Sequence, residues 1–459
     1  MPLRSARRAA LASTISGVML GFSAVLAAAQ APASPAAPPA PAPPPAPQPV
    51  ASTLDEALMK SAVPRDGAVY MLPATMETTQ WGWYNNAQPP VLHIKSGDSV
   101  AMETMMHSHN QVVPGVSIEK IKKLRTDFPG RGPHTITGPI YIEGAEPGDV
   151  LKIHINKIVP RSYATNFNVP GMFGEFPKDF PDGQVKYFYL DLDKKQLEFA
   201  PGIVVPIRPF PGTTAVARAE PGPYSTVPPG PFGGNLDINE MVEGTSLYVP
   251  VFVKGALLWS GDSHAGQGNG EINLTAIETA YKELNLTVTV LKNTTLAWPR
   301  VETPTHWITI GYDRDFNKAW DLLQAETIKY LVESRKLTPD EARQTMLNTW
   351  DCRISEVVDV LYGTYCMNPK SARAPKPMTL PKADDAKYLV TYAKGDDLQK
   401  TMDTASKAMI DKLAKDKSLS RLDAYALASM AMDCRLGKPS GSDKEVHCLV
   451  PKSLWVAQR

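Results

Sequence analysis

SLYVPVFVKGALLWSGDSHAGQGNGE, residues 246–271, changes character halfway along. Its first part, SLYVPVFV (246–253), is β-branched and aromatic, the composition of a strand packed against a core. Its second part, GDSHAGQGNGE (261–271), sets Asp262, His264 and Glu271 among four glycines with almost nothing apolar. Glycine allows positive φ and close backbone approach, which a loop folding around a small ligand requires.

The same strand texture recurs on either side. VLHI (91–94), DVLKIHINKI (149–158), KYFYLDL (186–192) and LNLTVTVL (284–291) alternate or are β-branched, with dense Gly and Pro turns between them. Many short strands with such punctuation predict a sandwich or barrel core over residues 52–305. After residue 305 the period changes. FNKAWDLLQAETIKYLVESRK (316–336) and DDLQKTMDTASKAMIDKLAKDK (396–417) carry apolar residues at helical spacing. LTPDEA and SLSRLDA read as capped starts of second helices. The fold class is therefore α+β, a β-rich core followed by a C-terminal α/β part.

That C-terminal part reads as an internal repeat with an offset of 82 residues. WDCRISEVVDVLYGTYCMNPKS aligns without gaps on MDCRLGKPSGSDKEVHCLVPKS, so Asp351, Cys352, Arg353 and Cys366 match Asp433, Cys434, Arg435 and Cys448. The expected modules are 306–371 and 388–459, joined by a linker at 372–387. In each copy the cysteines are 14 residues apart and flank a hairpin-like segment, so Cys352–Cys366 and Cys434–Cys448 is the economical pairing. Four cysteines allow three connectivities, and the other two stay open. No C-x₂-C zinc pattern is present.

Residues 1–29 carry Arg4, Arg7 and Arg8, then an apolar stretch, then Ala27-Ala28-Ala29. That order is expected of a secretory signal, which places the mature chain in the periplasm or outside the cell and suits disulfides. Residues 30–51 are Ala/Pro-rich and read as an extended spacer. No later segment is long and apolar enough to predict a membrane span. The chain of 459 residues is 43% hydrophobic with formal net charge +1, so no basic excess points to nucleic acid.

Asp262 and His264 form a D-x-H pair, and METMMHSHNQ supplies His107 and His109 as H-x-H. On an extended segment, side chains two apart face the same way, so each pair can offer two ligands to one divalent metal ion. Two histidines favour zinc over calcium or magnesium.

HTITGPIYIEGAEPGDVL (134–151), GGNLD (233–237), the 246–271 segment and DCRISEVVD…PK together resemble the acetamidase/formamidase family, in their order and spacing, from about residue 90 to 370. The resemblance implies a metal-associated hydrolase that cleaves a short linear carboxamide to carboxylate and ammonia. A hydrolase of cyclic amides or other small C–N substrates, and a secreted binding protein without turnover, are the competing readings. Family members carry acidic residues near Met106 and His109, so the H-x-H pair is a departure. Within this reading His107, His109, Asp262 and His264 are the metal candidates, and Glu143 or Glu271 the general base, because amide hydrolysis needs a group that moves protons. By the same resemblance His134 binds or orients the substrate. Asn235 and Asp237 either bond the amide or hold a ligand histidine from behind, or close Asx turns in the glycine loop. The implied partner is a small amide, with homo-oligomerisation open. No G-x-S-x-G nucleophile elbow is present.

Overall fold

The computed structural model describes residues 69–456. The expected signal (1–29), the spacer (30–51) and the first residues of the expected core lie outside the described residues. Among the described residues the architecture is sheet-rich α+β, with six helices. None of these helices is long and apolar enough to cross a membrane.

Two large sheets dominate, one of 12 and one of 11 strands. The segment Val150–Pro160 pairs with Tyr281–Leu291 on one side and with Ser246–Pro250 on the other. Its alternating burial sends Leu151, Ile153 and Ile155 inward, which is why an alternating sequence settles as a strand with one face on a core. These residues join Val249, Trp259, Leu284 and Leu286 in one apolar cluster.

The larger sheet does not stop at residue 305. It continues through His306–Asp313, Tyr362–Pro369 and Cys352–Ile354, then Asp433–Leu436, Lys444–Pro451 and Tyr388–Gly395. The two C-terminal segments meet edge to edge where Cys352–Ile354 pairs antiparallel with Asp433–Leu436, Arg353 opposite Arg435. Each segment runs strand, helix, helix, strand, strand, with helices at Phe316–Arg335 and Pro339–Asn348, then at Leu398–Asp416 and Arg421–Ala431. Thr338 closes a capping box with Glu341, and the Ser420 side chain accepts from the Asp423 backbone N–H, so both second helices start on the expected caps. Cys352–Cys366 and Cys434–Cys448 are the disulfide pairs, each joining directly opposed residues of adjacent strands.

Candidate functional site

The site is built on the strand Leu258–His264. This strand lies between Phe210–Val216 and Thr135–Glu143, and its end also pairs with the short strand Glu278–Thr279. Phe210, Pro211 and Thr213 pair with His264, Ser263 and Gly261, and the ladder skips Gly212 and Asp262. Asp262 sits at φ 49, a left-handed residue within a strand. At Gly212 an added Cβ would lie 2.6 Å from Asp237 Oδ1, 2.6 Å from His264 Cε1 and 2.7 Å from Asp262 Oδ2. Glycine there leaves the space into which these three side chains converge.

Four ligand atoms close a ring. His107 Nε2 is 3.0 Å from Asp262 Oδ1, which is 3.4 Å from His264 Nε2. His264 Nε2 is 3.4 Å from Glu278 Oε2, which returns to His107 Nε2 at 3.3 Å. Ligand atoms set tetrahedrally around an ion at about 2.0–2.1 Å lie about 3.3 Å apart, which these four neighbouring separations match. His134 Nε2 stands 3.8 Å from Asp262 Oδ2, and His264 Nδ1 is 3.6 Å from Asp237 Oδ1. Buried groupings of His107, His134, Asp237, Asp262, His264, Glu271, Glu278 and Asp359 could thus hold a metal ion.

The polar accounting points the same way. Both carboxylate oxygens of Asp237, both ring nitrogens of His264 and Oε2 of Glu278 are buried without a hydrogen-bond partner. Buried polar atoms are nearly always satisfied, and orphans this concentrated fit a site completed by a cation.

The titrating groups fall into two sets. Burial alone would depress His107 and His264, but Glu278 and Asp262 more than offset it and hold them up at about 9 and about 10. Burial would raise Asp262, yet His134 and His264 keep it well below the usual carboxylate range. By contrast burial, reinforced by neighbouring carboxylates, pushes Asp237 and Glu271 well up and Asp359 up to about 7. His134 is pushed down to about 4 by burial, with His107 and Arg125 adding to the effect. Its Nδ1 faces the Thr226 carbonyl at 3.2 Å, which fixes the proton on Nδ1 and leaves Nε2 as a bare base.

A pH test follows for the metal-free protein. The folded pKa values of His107 and His264 lie above the unfolded value of about 6.5. Their stabilisation is therefore fully present below that value and is lost as pH rises through about 9 and about 10. A cation needs the deprotonated rings, so its binding gains as pH rises. The gap in Tm between zinc-loaded and chelator-treated protein should widen from pH 7 to 9.5, and a constant gap would refute the linkage.

Of the residues singled out from sequence, the fold gathers His107, His134, Asn235, Asp237, Asp262, His264 and Glu271. Two are placed elsewhere. His109 is not a ligand of this cluster, because the H-x-H segment is not extended: Ser108, His109 and Asn110 all have positive φ. Its ring instead lies beside Trp81, with centroids 6.2 Å apart. Glu143 is not the base, because it sits exposed at the end of the nine-residue strand that starts beside His134. The strand carries it eight residues beyond Thr135, away from the end that meets the site. The glycine-rich segment is no open loop either, since residues 261–271 are all buried. The Gly268 N–H donates to the Ser429 carbonyl, Gln267 Nε2 to the Ser355 carbonyl and Asn269 Nδ2 to Asp433 Oδ1, so the C-terminal segments clamp it.

Glu278, Glu356 and Asp359 were not foreseen. Glu278 is the one acid in the apolar run LTAIETAY, and that isolation was its signal. Asp359 accepts from Asn235 Nδ2 at 2.6 Å, and Asn235 in turn accepts from Thr213 Oγ1 at 2.7 Å. Its signal lay in the gapless alignment of the two tails, where Glu356 and Asp359 stand opposite Lys438 and Gly441. An asymmetry of that kind marks the copy that faces chemistry. The cluster forms one wall of a cavity of about 90 Å³, with His134, Glu271 and Asp359 beside apolar Phe167, Phe173 and Leu274.

The profile of the Acetamidase/Formamidase family matches residues 74–225 and 216–307. A Mycolicibacterium smegmatis protein named acetamidase is 29% identical over 200 residues, covering 30% of this chain and 49% of that protein. A Methylophilus methylotrophus protein named formamidase is 27% identical over 247 residues, covering 42% and 59%. The chain thus spans about half to three-fifths of the length of these curated relatives. The crystal structure of an acetamidase from Bacillus halodurans superposes with a TM-score of 0.60 at 28% identity, over 65% of this chain and 97% of that one. With the family profile spanning half the sequence and a solved relative matched over nearly its whole length, the chain belongs to the acetamidase/formamidase family.

Proposed function

We propose that the protein is a metal-dependent amidohydrolase that cleaves the C–N bond of a short linear carboxamide to give a carboxylate and ammonia. The observation that carries this reading is the buried ring of His107, Asp262, His264 and Glu278 facing a cavity sized for a small ligand. When bound there, a divalent cation, most simply zinc, supplies Lewis acidity toward a carbonyl oxygen and toward water. The bare Nε2 of His134 takes a proton from the attacking water, whose oxygen bonds to the carbonyl carbon. Glu271, its carboxyl kept protonated by burial, gives a proton to the leaving nitrogen as the C–N bond breaks. Asn235, held by Thr213 and Asp359, is placed to bond the amide. Apolar walls keep bulk water from competing with these contacts.

Two further readings belong with this one. Export to the periplasm or beyond is supported by the signal-like residues 1–29 and the two disulfides. Duplication of the C-terminal module is supported by the 82-residue offset and the shared order of elements. The second copy carries Lys438 and Gly441 where the first has Glu356 and Asp359, and it clamps residues 268–269.

The enzymatic reading is tested by ammonia release from formamide, acetamide and propionamide. Zinc-loaded protein should turn over at least one of them, lose that activity in chelator and regain it on adding zinc. Full turnover in chelator would overturn the metal dependence, and no turnover of any short amide would overturn the amidase.

A further inference from the structure

The cavity carries a charge that the hydrolytic machinery does not use. Arg125 lies in the last turn of the helix Ile118–Thr126 and lines the same cavity as His107, His134 and Glu278. Cations in a last turn ordinarily lie in solvent, where they complement the helix dipole, as exposed Lys123 does here. Arg125 turns inward instead. Its Nη2 donates to Ser108 Oγ at 3.4 Å, and its Nη1 is buried with no hydrogen-bond partner.

Among the described residues Arg125 forms no ion pair, whereas Arg353, equally enclosed, is held by Glu240 and Asp351. Burial alone pushes the Arg125 guanidinium down to about 10, so it stays charged at neutral pH. A second guanidinium on the same lining, Arg131, is already engaged over the Trp81 ring, 4.6 Å from its centroid. An inward guanidinium with an idle donor is costly to keep in an empty fold, and its fork geometry matches a carboxylate.

Resting on the amidase reading, we infer that the substrate is an amide bearing a carboxylate a few atoms from its carboxamide, with Arg125 receiving that carboxylate while the carboxamide lies against the His107–Glu278 ring. The reaction stays redox-neutral. Water supplies the oxygen that bonds to the carbonyl carbon, the C–N bond breaks, nitrogen leaves as ammonia, and the product is a short dicarboxylate. Phe167, Phe173 and Leu274 lie beside the methylene spacer. Simple amides such as acetamide leave Arg125 without a partner and forfeit that contact.

The test compares succinamate with its uncharged isostere 4-oxopentanamide on the zinc-loaded full chain, with malonamate and glutaramate varying the spacer. The best carboxylate-bearing amide should exceed the neutral isostere in kcat/KM by about 10- to 100-fold, the range a charge-assisted hydrogen bond supports. In Arg125→Met that ratio should fall to within about threefold of unity, and Arg125→Lys, keeping charge without the fork, should fall between. Calorimetric titration with succinate gives a readout independent of turnover, with Kd weakened by a similar factor in Arg125→Met. Failure to hydrolyse any amide, with Arg125-dependent succinate binding intact, would overturn the amidase and keep the anion subsite. Hydrolysis without preference, or a preference that survives in Arg125→Met, would overturn the subsite. An equal loss for charged and neutral amides would do so too, by reducing Arg125 to a counterweight for the acids.

Discussion

Asp262→Asn should lower kcat/KM for amide hydrolysis by at least about 1000-fold, roughly 4 kcal/mol of transition-state stabilisation. The substitution keeps the side chain's shape and removes only its charge. That charge is the hub of the site, 3.0 Å from His107, 3.4 Å from His264 and 3.8 Å from His134. Without it the ring loses a ligand and metal should not survive gel filtration. In the metal-free protein two raised histidines would also lose a buried counter-charge, at about 3–5 kcal/mol for a broken buried pair. Metal content by mass spectrometry and ammonia release read the two effects separately. Retention of one metal per chain with activity within tenfold of wild type would rule out Asp262 as a ligand.

Gly212→Ala should reduce kcat/KM by about 100-fold although Gly212 touches no substrate. The residue is not at positive φ, so alanine meets no backbone penalty there and the effect isolates sterics. Its methyl would intrude at 2.6–2.7 Å on Asp237, Asp262 and His264 together, and displacement of such groups by about an ångström costs two orders of magnitude. Overpacking should also cost about 1–3 kcal/mol of stability, measurable by denaturant unfolding. Wild-type activity and zinc affinity in Gly212→Ala would mean that the three side chains do not converge as described.

Much of this molecule is readable from local pattern, and its errors share a cause. Val150–Pro160 and Tyr281–Leu291 announce themselves through alternation, the helices through period and caps, and the disulfides through spacing. Each signal resides within a few turns of chain. His109 failed because the rule that alternate side chains share a face assumes extended backbone, and three successive positive-φ residues without a glycine leave no trace in composition. Glu143 failed because a carboxylate of the right chemistry says nothing of which end of its strand meets the site, and it stands exposed at the far end of Thr135–Glu143. Glu278 and Asp359 reach the site through register and hairpin placement, which are long-range properties. Arg125 sits in a run of basic residues, IEKIKKLRT, where nothing local says which one turns inward.

The Cys352–Cys366 bridge ties together the two ends of the hairpin whose tip carries Glu356, Val358, Asp359 and Val360. A crosslink is usually counted as a constraint on the unfolded chain. This one also holds the base of the segment that forms one wall of the cavity, where Val358, Asp359 and Val360 stand. The oxidising power of the surroundings therefore becomes a variable of the pocket itself. Chain matured in a reducing compartment would carry every residue of the site, yet its Asp359 would hang from an unstapled arm.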